Sequence, residues 1–567
     1  MAAKLRDGVE PQPTVPSETT DGGLYPFDRE QVMISKREYI ELRSMANSYK
    51  TQHFKACQRI QRLQEAYRKA VKAHKAREAE LLEQLKQKKA ALRGLRQRHF
   101  GTRSERASRC RPPDRNTNAR QHSARPRGQQ PGAPGHGRTV FDDLPKRVQW
   151  HGMDRACPGC GKPMTAIAGS KDSEVVEIEV AAHRRVIRRQ RYRASCDCGC
   201  LPAVTAAPPP AQLIPRGKLG VSVWVEILLS KYRHCQPTHR LCQDWAERGL
   251  PVAQGTITDG LKRLQPLFDP LMADMAERLR GASHWHADET HWKVFEPLEG
   301  KTGHRWFLWL FLSSEVVYFT ADPGRSAEVP GAVLTQQAQG ILSVDDYSAY
   351  RKYVRLNPKV VRALCWVHQR REFIVLAIQE PALWPWAMRW LERIARLYRY
   401  HTRRQQTKAG TRGFERQDAI LRRHVERLRK QAVIEHDDPK QRPEVRRLHR
   451  LMLRKWTELT VFLDHPGISL DNNPAEQKLR PTVVGRKNYY GSGSQWSAGL
   501  AASMMSLLAT LDLWGINPRS WLADYLQACA DAGGKVPVDS AAFLPWRLSP
   551  EQRARLSQPP TLPAPMP

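Results

Sequence analysis

The sequence predicts a multidomain α/β protein whose central sheet collects carboxylates at one edge, and three stretches predict it. Ser283–Phe295 (SHWHADETHWKVF) reads as a β-strand, because Trp285, Trp292, Val294 and Phe295 supply strand-favouring bulk. Period two puts His286, Asp288 and Thr290 on one face and Ala287 and Glu289 on the other. Gly340–Tyr350 (GILSVDDYSAY) holds a short apolar strand, Ile341, Leu342 and Val344, that ends at Asp345. Asp471–Arg480 (DNNPAEQKLR) opens a helix carrying Glu476. A carboxylate in such apolar surroundings is costly to bury unless it is paired or binds a cation.

Between the two acidic strands lie RWFLWLFLS (Arg305–Ser313) and EVVYFTAD (Glu315–Asp322), which read as two further strands. Two aspartates on strands, followed by a glutamate on a later helix, is how a ribonuclease-H-like sheet gathers its carboxylates. The interval from Asp288 to Asp345 suits two strands and a helix; that from Asp345 to Glu476 requires an inserted domain. Glu476 also has a purely structural reading. With Asn473 as helix N-cap and Pro474 at N1, it falls at N3, the reciprocal position of a capping box, with Arg480 one turn on as an ion-pair partner.

HADET, GILSVDDYSAY, CWVHQRREF (Cys365–Phe373) and SLDNNPAEQKLRP…GRKN (Ser469–Asn488) resemble, in order and rough spacing, the signature blocks of insertion-sequence-66 (IS-66) family transposases. LPWRL (Leu544–Leu548) and matches upstream extend the resemblance over most of the chain after about residue 36. It implies a DDE transposase of the transposase C type, with Asp288, Asp345 and Glu476 as catalytic ligands of Mg2+ or Mn2+. His368, Asn472 and Asn473 would support them. Asp346 stands where the family usually has glycine; Asp346 and Glu289 are read as adjacent decoys. The resemblance further implies a zinc-binding segment and small companion proteins from the same element.

Taken in order, residues 1–34 read as a disordered leader, polar and without the apolar centre of a secretory signal. Residues 35–102 form a basic helix free of Gly and Pro until Gly94. Ile60, Leu63, Tyr67 and Ala70, then Leu82, Leu85, Lys89 and Leu92, follow 3-4-3 spacing. That suits a homodimeric coiled coil, with a single solvated helix as the alternative. Residues 103–140, rich in Arg, Pro, Gly and Gln, cannot bury a core and form a disordered basic linker. In 141–205, Cys157-Pro-Gly-Cys160 presents two thiolates to a structural zinc ion. The second pair is drawn from Cys196, Cys198 and Cys200, Cys196 with Cys200 being the primary choice, across an interval longer than a usual zinc ribbon.

Residues 211–282 are helical. Pro237–Trp245 and Gln254–Leu264 flank a turn at Gly249–Pro251 and suit a helix-turn-helix with Thr256 near the start of the reading helix. The ribonuclease-H-like core occupies 283–378 and resumes at 468–550, split by an arginine-rich helical insertion at 379–467. Arg370, Arg371, Arg480, Arg486 and Lys487 are candidate DNA contacts. Gly491-Ser-Gly493 suits backbone approach to a phosphate, and Ser497–Trp514 is an apolar helix for the core. Cys365-x-x-His368 lacks partners for a metal site and reads as a packed Cys with a hydrogen-bonded His. Residues 551–567 read as a disordered tail.

The 567-residue chain carries a net charge of +35 and a pI near 10.1, which predicts a polyanionic partner, DNA above all: the element's terminal repeats and target DNA. No apolar run approaches the roughly 18 residues of a spanning helix, so a membrane is not expected. Eleven cysteines, five of them in two clusters, suit a reducing bacterial cytoplasm, with the protein on the nucleoid. Three carboxylates around two divalent ions about 4 Å apart would serve hydrolysis and then strand transfer, Asp288 bridging the ions. A non-catalytic DNA-binding regulator would share the charge and the knuckle without needing the carboxylates. A ribonuclease-H-like nuclease or resolvase would need the carboxylates without the coiled coil and insertion.

Overall fold

The computed structural model describes residues 33–100, 148, 159–163, 182–193, 204–300 and 303–559, with backbone alone over 94–100. The predicted zinc ligands Cys157, Cys196, Cys198 and Cys200 lie outside the described residues, as do the predicted linker and nearly all of the leader; Cys160 is described and exposed.

The chain divides into two compact units, Met1–Leu95 and Arg96–Pro567. In the first, helix α1 (Lys36–Phe100) starts on a reciprocal cap: the Glu38 N–H donates to Ser35 Oγ and the Ser35 N–H to Glu38 Oε2. Its large apolar side chains Ile60, Leu63, Tyr67, Leu82, Leu85 and Leu92 are exposed.

In the second unit, β1 (Arg191–Arg193) and β2 (Val204–Ala206) form a two-stranded antiparallel ribbon. A helical region follows: α2 (Val221–Leu228), a π-helical extension (Leu229–Arg233), α3 (Thr238–Glu247), α4 (Gln254–Leu264) and α5 (Asp269–Arg280). The α3–α4 turn depends on Gly249, whose φ of +80° a side chain would strain. Helix α4 buries Ile257, Gly260, Leu261 and Leu264 and leaves Thr256, Thr258, Lys262 and Arg263 exposed. Gly260 is required by packing, since a Cβ there would lie 1.8 Å from the Trp224 ring.

The sheet comprises β3 (His284–Lys293), β4 (Arg305–Leu312), β5 (Val317–Asp322), then, after α6 (Glu328–Leu334), β6 (Gly340–Val344), and, after α7 (Ser348–Leu356), β7 (Val360–Leu364). Its order is β5-β4-β3-β6-β7; β3, β4 and β5 are antiparallel neighbours, whereas β6 runs parallel to β3 and β7 to β6. Strand β4 reads almost continuously apolar because helices cover both of its faces, and Trp309, Leu310 and Phe311 are fully buried.

Helix α8 (Trp366–Gln379) leads into and packs with the insertion, which consists of α9 (Trp384–Gln405), α10 (Arg412–Asp437), α11 (Pro443–Arg454) and α12 (Trp456–Leu459). Together they have their own apolar cluster, built on Phe373, Trp386, Trp390, Ile394, Leu421 and Met452. Inside that cluster Glu435 Oε2 accepts from Trp386 Nε1 (2.7 Å), Trp390 Nε1 (2.9 Å) and His449 Nε2 (2.9 Å). Arg389, Arg396, Arg399, Arg423, Arg427 and Arg429 are exposed, whereas Arg404 is fully buried against Asp418 and the Leu463 carbonyl.

The chain returns through α13 (Asn473–Tyr489), α14 (Gln495–Leu513), α15 (Pro518–Asp531) and α16 (Pro550–Ser557). By length and composition α14 could cross a membrane, contrary to the expectation that no run comes close, but 67% of its apolar window is buried inside the protein. Its polar residues explain where it sits. Ser506 Oγ accepts from the Phe319 N–H (2.7 Å) and Thr510 Oγ1 from the Val317 N–H (3.0 Å), so α14 satisfies the open edge of β5.

Candidate active site

The register of the parallel pair brings the two aspartates together. His286 lies opposite Ser343, and two residues further along each strand stand Asp288 and Asp345, on one face at the end of β6. Helix α13 lies over that face. Its anchor is Asn472, almost fully buried, which uses every polar atom near the sheet. Its Oδ1 meets His286 Nδ1 (3.0 Å), its Nδ2 donates to the Ala287 carbonyl (2.8 Å) and its backbone N–H donates to Cys365 Sγ (3.3 Å). Cys365 is buried, and burial pushes its thiol up to about 11, so it is an inert packing group rather than a thiolate ligand. Further along α13, Arg486 donates to Thr290 Oγ1 (2.9 Å) and to the His291 carbonyl.

This anchoring brings Glu476 over the strand face and corrects its structural reading. The N-cap is Asn472, not Asn473, so Glu476 sits one position past N3; no capping box forms, and no ion pair joins it to Arg480. The Asn473 N–H is accepted by Asp471 Oδ1 instead (3.2 Å). Glu476 Oε1 faces His368 Nε2 of α8 at 3.8 Å. Burial and the nearby Arg371 charge lower the His368 pKa, while Glu476 raises it, with the net shift downward. The His368 Nδ1 is buried without a hydrogen-bond partner.

Ionisation of the carboxylates records their crowding. Asp288 is pushed up to about 8, by burial first and then by Glu289, Asp345 and Glu476. Burial also raises Asp345, against the Tyr347 N–H bonded to its carboxylate (3.1 Å) and the Arg325 charge. Among the described residues no basic side chain bonds Asp288, and its one hydrogen bond comes from the Glu289 N–H (2.9 Å). Among the described residues no three His, Cys, Asp or Glu side chains are drawn tight enough to hold a metal ion, so the expected ligand cage is not closed. The carboxylates are neighbours that raise one another's proton affinity without meeting, as like charges do.

The two adjacent acids behave differently. Glu289 points to the opposite face, where Arg325 and Tyr350 Oη (2.6 Å) bind its oxygens. Arg325 in turn stacks 3.8 Å above the Tyr347 ring. Asp346 is held by Arg351 (2.9 Å), the buried Arg362 (3.1 Å) and Lys455 at the end of the insertion; burial raises its pKa, but Lys455 and Arg351 outweigh that and lower it. Arg362 also grips Glu458 with two nitrogens, tying β7 to α12. Sequence reasoning missed Arg325, Tyr350 and Arg362. The tyrosines stood three residues apart beside Asp345, a helical spacing that signalled them; nothing local marks either arginine.

The other candidates fall in three groups. Arg370 and Arg371 are half-buried on α8, burial lowering the Arg370 pKa. Arg480 and Lys487 are exposed on α13, and Thr256 on α4. Gly491 makes a close approach within the protein. A Cβ at Gly491 would lie 2.2 Å from the Lys293 carbonyl, and the Ser492 N–H donates to that carbonyl (2.8 Å). Beyond Asp288, the other face of the β3–β4 hairpin borders a hollow of about 960 Å³ lined by His291, Lys293, Phe295, Arg305, Phe307 and Arg486.

A sequence profile described as "Transposase IS66 family" matches residues 216–499. The chain is also similar to three uncharacterized proteins of Sinorhizobium fredii (strain NBRC 101917 / NGR234). It is 27% identical to y4hP over 432 residues (69% of this chain, 73% of that protein). It is 27% identical to y4jD over 418 residues (70% and 79%) and 26% identical to y4qI over 414 residues (70% and 74%). No solved structure matches it significantly.

Proposed function

The chain belongs to the IS66 family of transposases, and from that premise we propose that it binds the ends of an insertion sequence and catalyses metal-dependent DNA strand cleavage and transfer, with Asp288, Asp345 and Glu476 as the catalytic carboxylates. The observation that carries the reading is the convergence of these three on one face without a bound cation of the protein, Asp288 being pushed up to about 8. The sheet supports a ribonuclease-H-like assignment. Numbered from β3, its order is 3-2-1-4-5, with the first three strands antiparallel, the last two parallel, and the aspartates on the adjacent first and fourth.

The donor set fits Mg2+ or Mn2+: three carboxylates with hard oxygens, of which Asp288 would give up its proton on binding. Bound there, divalent ions supply activation of the attacking oxygen and neutralisation of the leaving one. The chain's own groups do the rest. Asn472 fixes the start of α13 on β3 and so sets where Glu476 stands. His368 faces Glu476 from α8. Arg325 and Tyr350 keep Glu289 on the opposite face, so it does not compete for the ion. The exposed arginines of α9 and α10, with Arg370, Arg371, Arg480, Arg486, Lys487 and Thr256, provide phosphate and groove contacts.

We assign α1 to homodimerisation as a coiled coil, since a lone helix with its Ile60–Leu63–Tyr67 stripe in water has nothing to stabilise it. A structural zinc on Cys157, Cys160 and two of Cys196, Cys198 and Cys200 predicts about one ion per chain; metal analysis finding none would remove it. The central test is cleavage of DNA carrying the element's ends, with and without Mg2+. Metal-dependent nicking at the ends is expected; binding without cleavage under every divalent ion tried would overturn the catalytic reading.

A further inference from the structure

Beyond Asp288 the β3–β4 hairpin runs past the end of β6, which pairs with β3 only from His284 to His286. On the face opposite Asp288 and α13, the cross-strand pairs are His291 with Phe307 and Lys293 with Arg305. Phe295 and His304 come next, their rings 5.6 Å apart; the His291 and Phe307 rings are 5.0 Å apart. Arg325 lies 5.7 Å from the Phe307 ring at the inner end. Rings and cations therefore alternate along the hairpin, and all of them but Arg325 border one hollow, which Trp292 and Arg486 close from the α13 side.

Three features make this face a binding surface rather than ordinary solvated hairpin. Phe295 is 44% exposed, although burying it would be favourable. Among the described residues Lys293 and Arg305 have no ion-pair partner, while the nearby Glu296 accepts from the Gln495 N–H (2.6 Å) and Glu289 is bound by Arg325. Surrounding cations, Arg305, Arg325 and Arg486, add to burial in lowering the His291 pKa, which marks a positive field across the hollow.

We propose that this face binds single-stranded DNA, stacking unpaired bases on His291 and Phe295 while Lys293 and Arg305 hold the intervening phosphates. Same-face positions on a strand repeat every two residues, about 6.8 Å, which is twice the roughly 3.4 Å axial spacing of stacked nucleotides in a duplex strand. The stations thus suit a strand pulled out of its stack. Aromatic rings interleaved with cations bind such a strand with little regard to sequence. The proposal rests on DNA as the partner and extends it. It gives the strand leaving the carboxylates a place to be held.

The test is fluorescence anisotropy of the full chain with labelled oligothymidylate and with a duplex of equal length. A His291→Ala/Phe295→Ala variant truncates only exposed rings and should melt as the parent does. It should bind the single strand about ten- to a hundredfold more weakly with duplex affinity nearly unchanged, and Phe295→Trp alone should retain binding. Lys293→Gln and Arg305→Gln should each flatten the salt dependence of single-strand binding, by about 0.7 in log–log slope. Unchanged single-strand affinity in the double variant, or a parallel loss for duplex, would overturn the proposal. Asp288→Asn separates this from the nuclease reading. It abolishes cleavage if that reading holds and leaves oligothymidylate affinity intact if this one does.

Discussion

Two carboxylates drawn out of water, Glu435 buried and Asp288 half-buried, have opposite fates. Glu435, inside the insertion, takes hydrogen bonds from Trp386, Trp390, His449 and Gln431, which hold it down at about 2 despite burial. Asp288, on the sheet, is surrounded by Glu289, Asp345 and Glu476 and is pushed up to about 8. Both are removed from water, so desolvation is common to them; the difference lies in what faces the charge. A carboxylate ringed by donors is complete within the protein and fastens its neighbours together. One ringed by other carboxylates is incomplete, and a cation from outside is what it fits.

Exchanging each acid for its neutral amide breaks the comparison most directly. Asp288→Asn should cut DNA cleavage by several orders of magnitude while the protein melts at the same temperature or higher, since it removes mutual repulsion. Normal cleavage in Mg2+ would dissolve the contrast at its catalytic end. Glu476→Gln comes next. Because no capping box depends on Glu476, its melting temperature should stay put while strand cleavage collapses. If cleavage survives, Asp471 is the next carboxylate to examine.

Glu435→Ala should have the reverse profile. Losing one partner of a buried charged network costs about 3–5 kcal/mol, read by urea unfolding, and destabilises the insertion. Cleavage per folded molecule should hold under conditions where the variant remains folded. A variant as stable as the parent would show that the tryptophans and His449 need no shared acceptor.

The smallest effect sharpens the comparison through pH. Glu435 has a folded pKa below its unfolded value of about 4.3, so its contribution is present above that value and is lost as pH falls towards about 2. Asp288 has a folded pKa above its unfolded value of about 3.9. Without divalent metal its contribution is therefore present below that value and is lost as pH rises through about 8. Melting curves in a chelator should show Asp288→Asn losing less stability than the parent between these two values. Glu435→Gln should lose less than the parent only in acid. Parallel curves for Asp288→Asn and parent would mean that its carboxyl is not perturbed.

Much of this was legible in the sequence because it follows from short-range periodicity. Alternation along Ser283–Phe295 separated Asp288 from Glu289, and the strand ending at Val344 put Asp345 at its tip. Unbroken helical composition marked α1, and glycine at 249 marked the α3–α4 turn. What the residues could not convey locally was partner choice. The N-cap moved from Asn473 to Asn472 because Asn472 finds the Ala287 carbonyl and His286, both far away in the chain. Glu476 faces His368 and not Arg480 because the fold sets α8 beside it, a tertiary contact that one turn of helix cannot foretell. Arg325 and Arg362 looked like two of many arginines until the fold set one on Glu289 and the other between Asp346 and Glu458. Backbone periodicity is a property of neighbours in sequence, so the chain alone determined it. The electrostatic environment of a buried charge is a sum over whatever the folded chain brings within a few ångströms, and only the tertiary structure decides that.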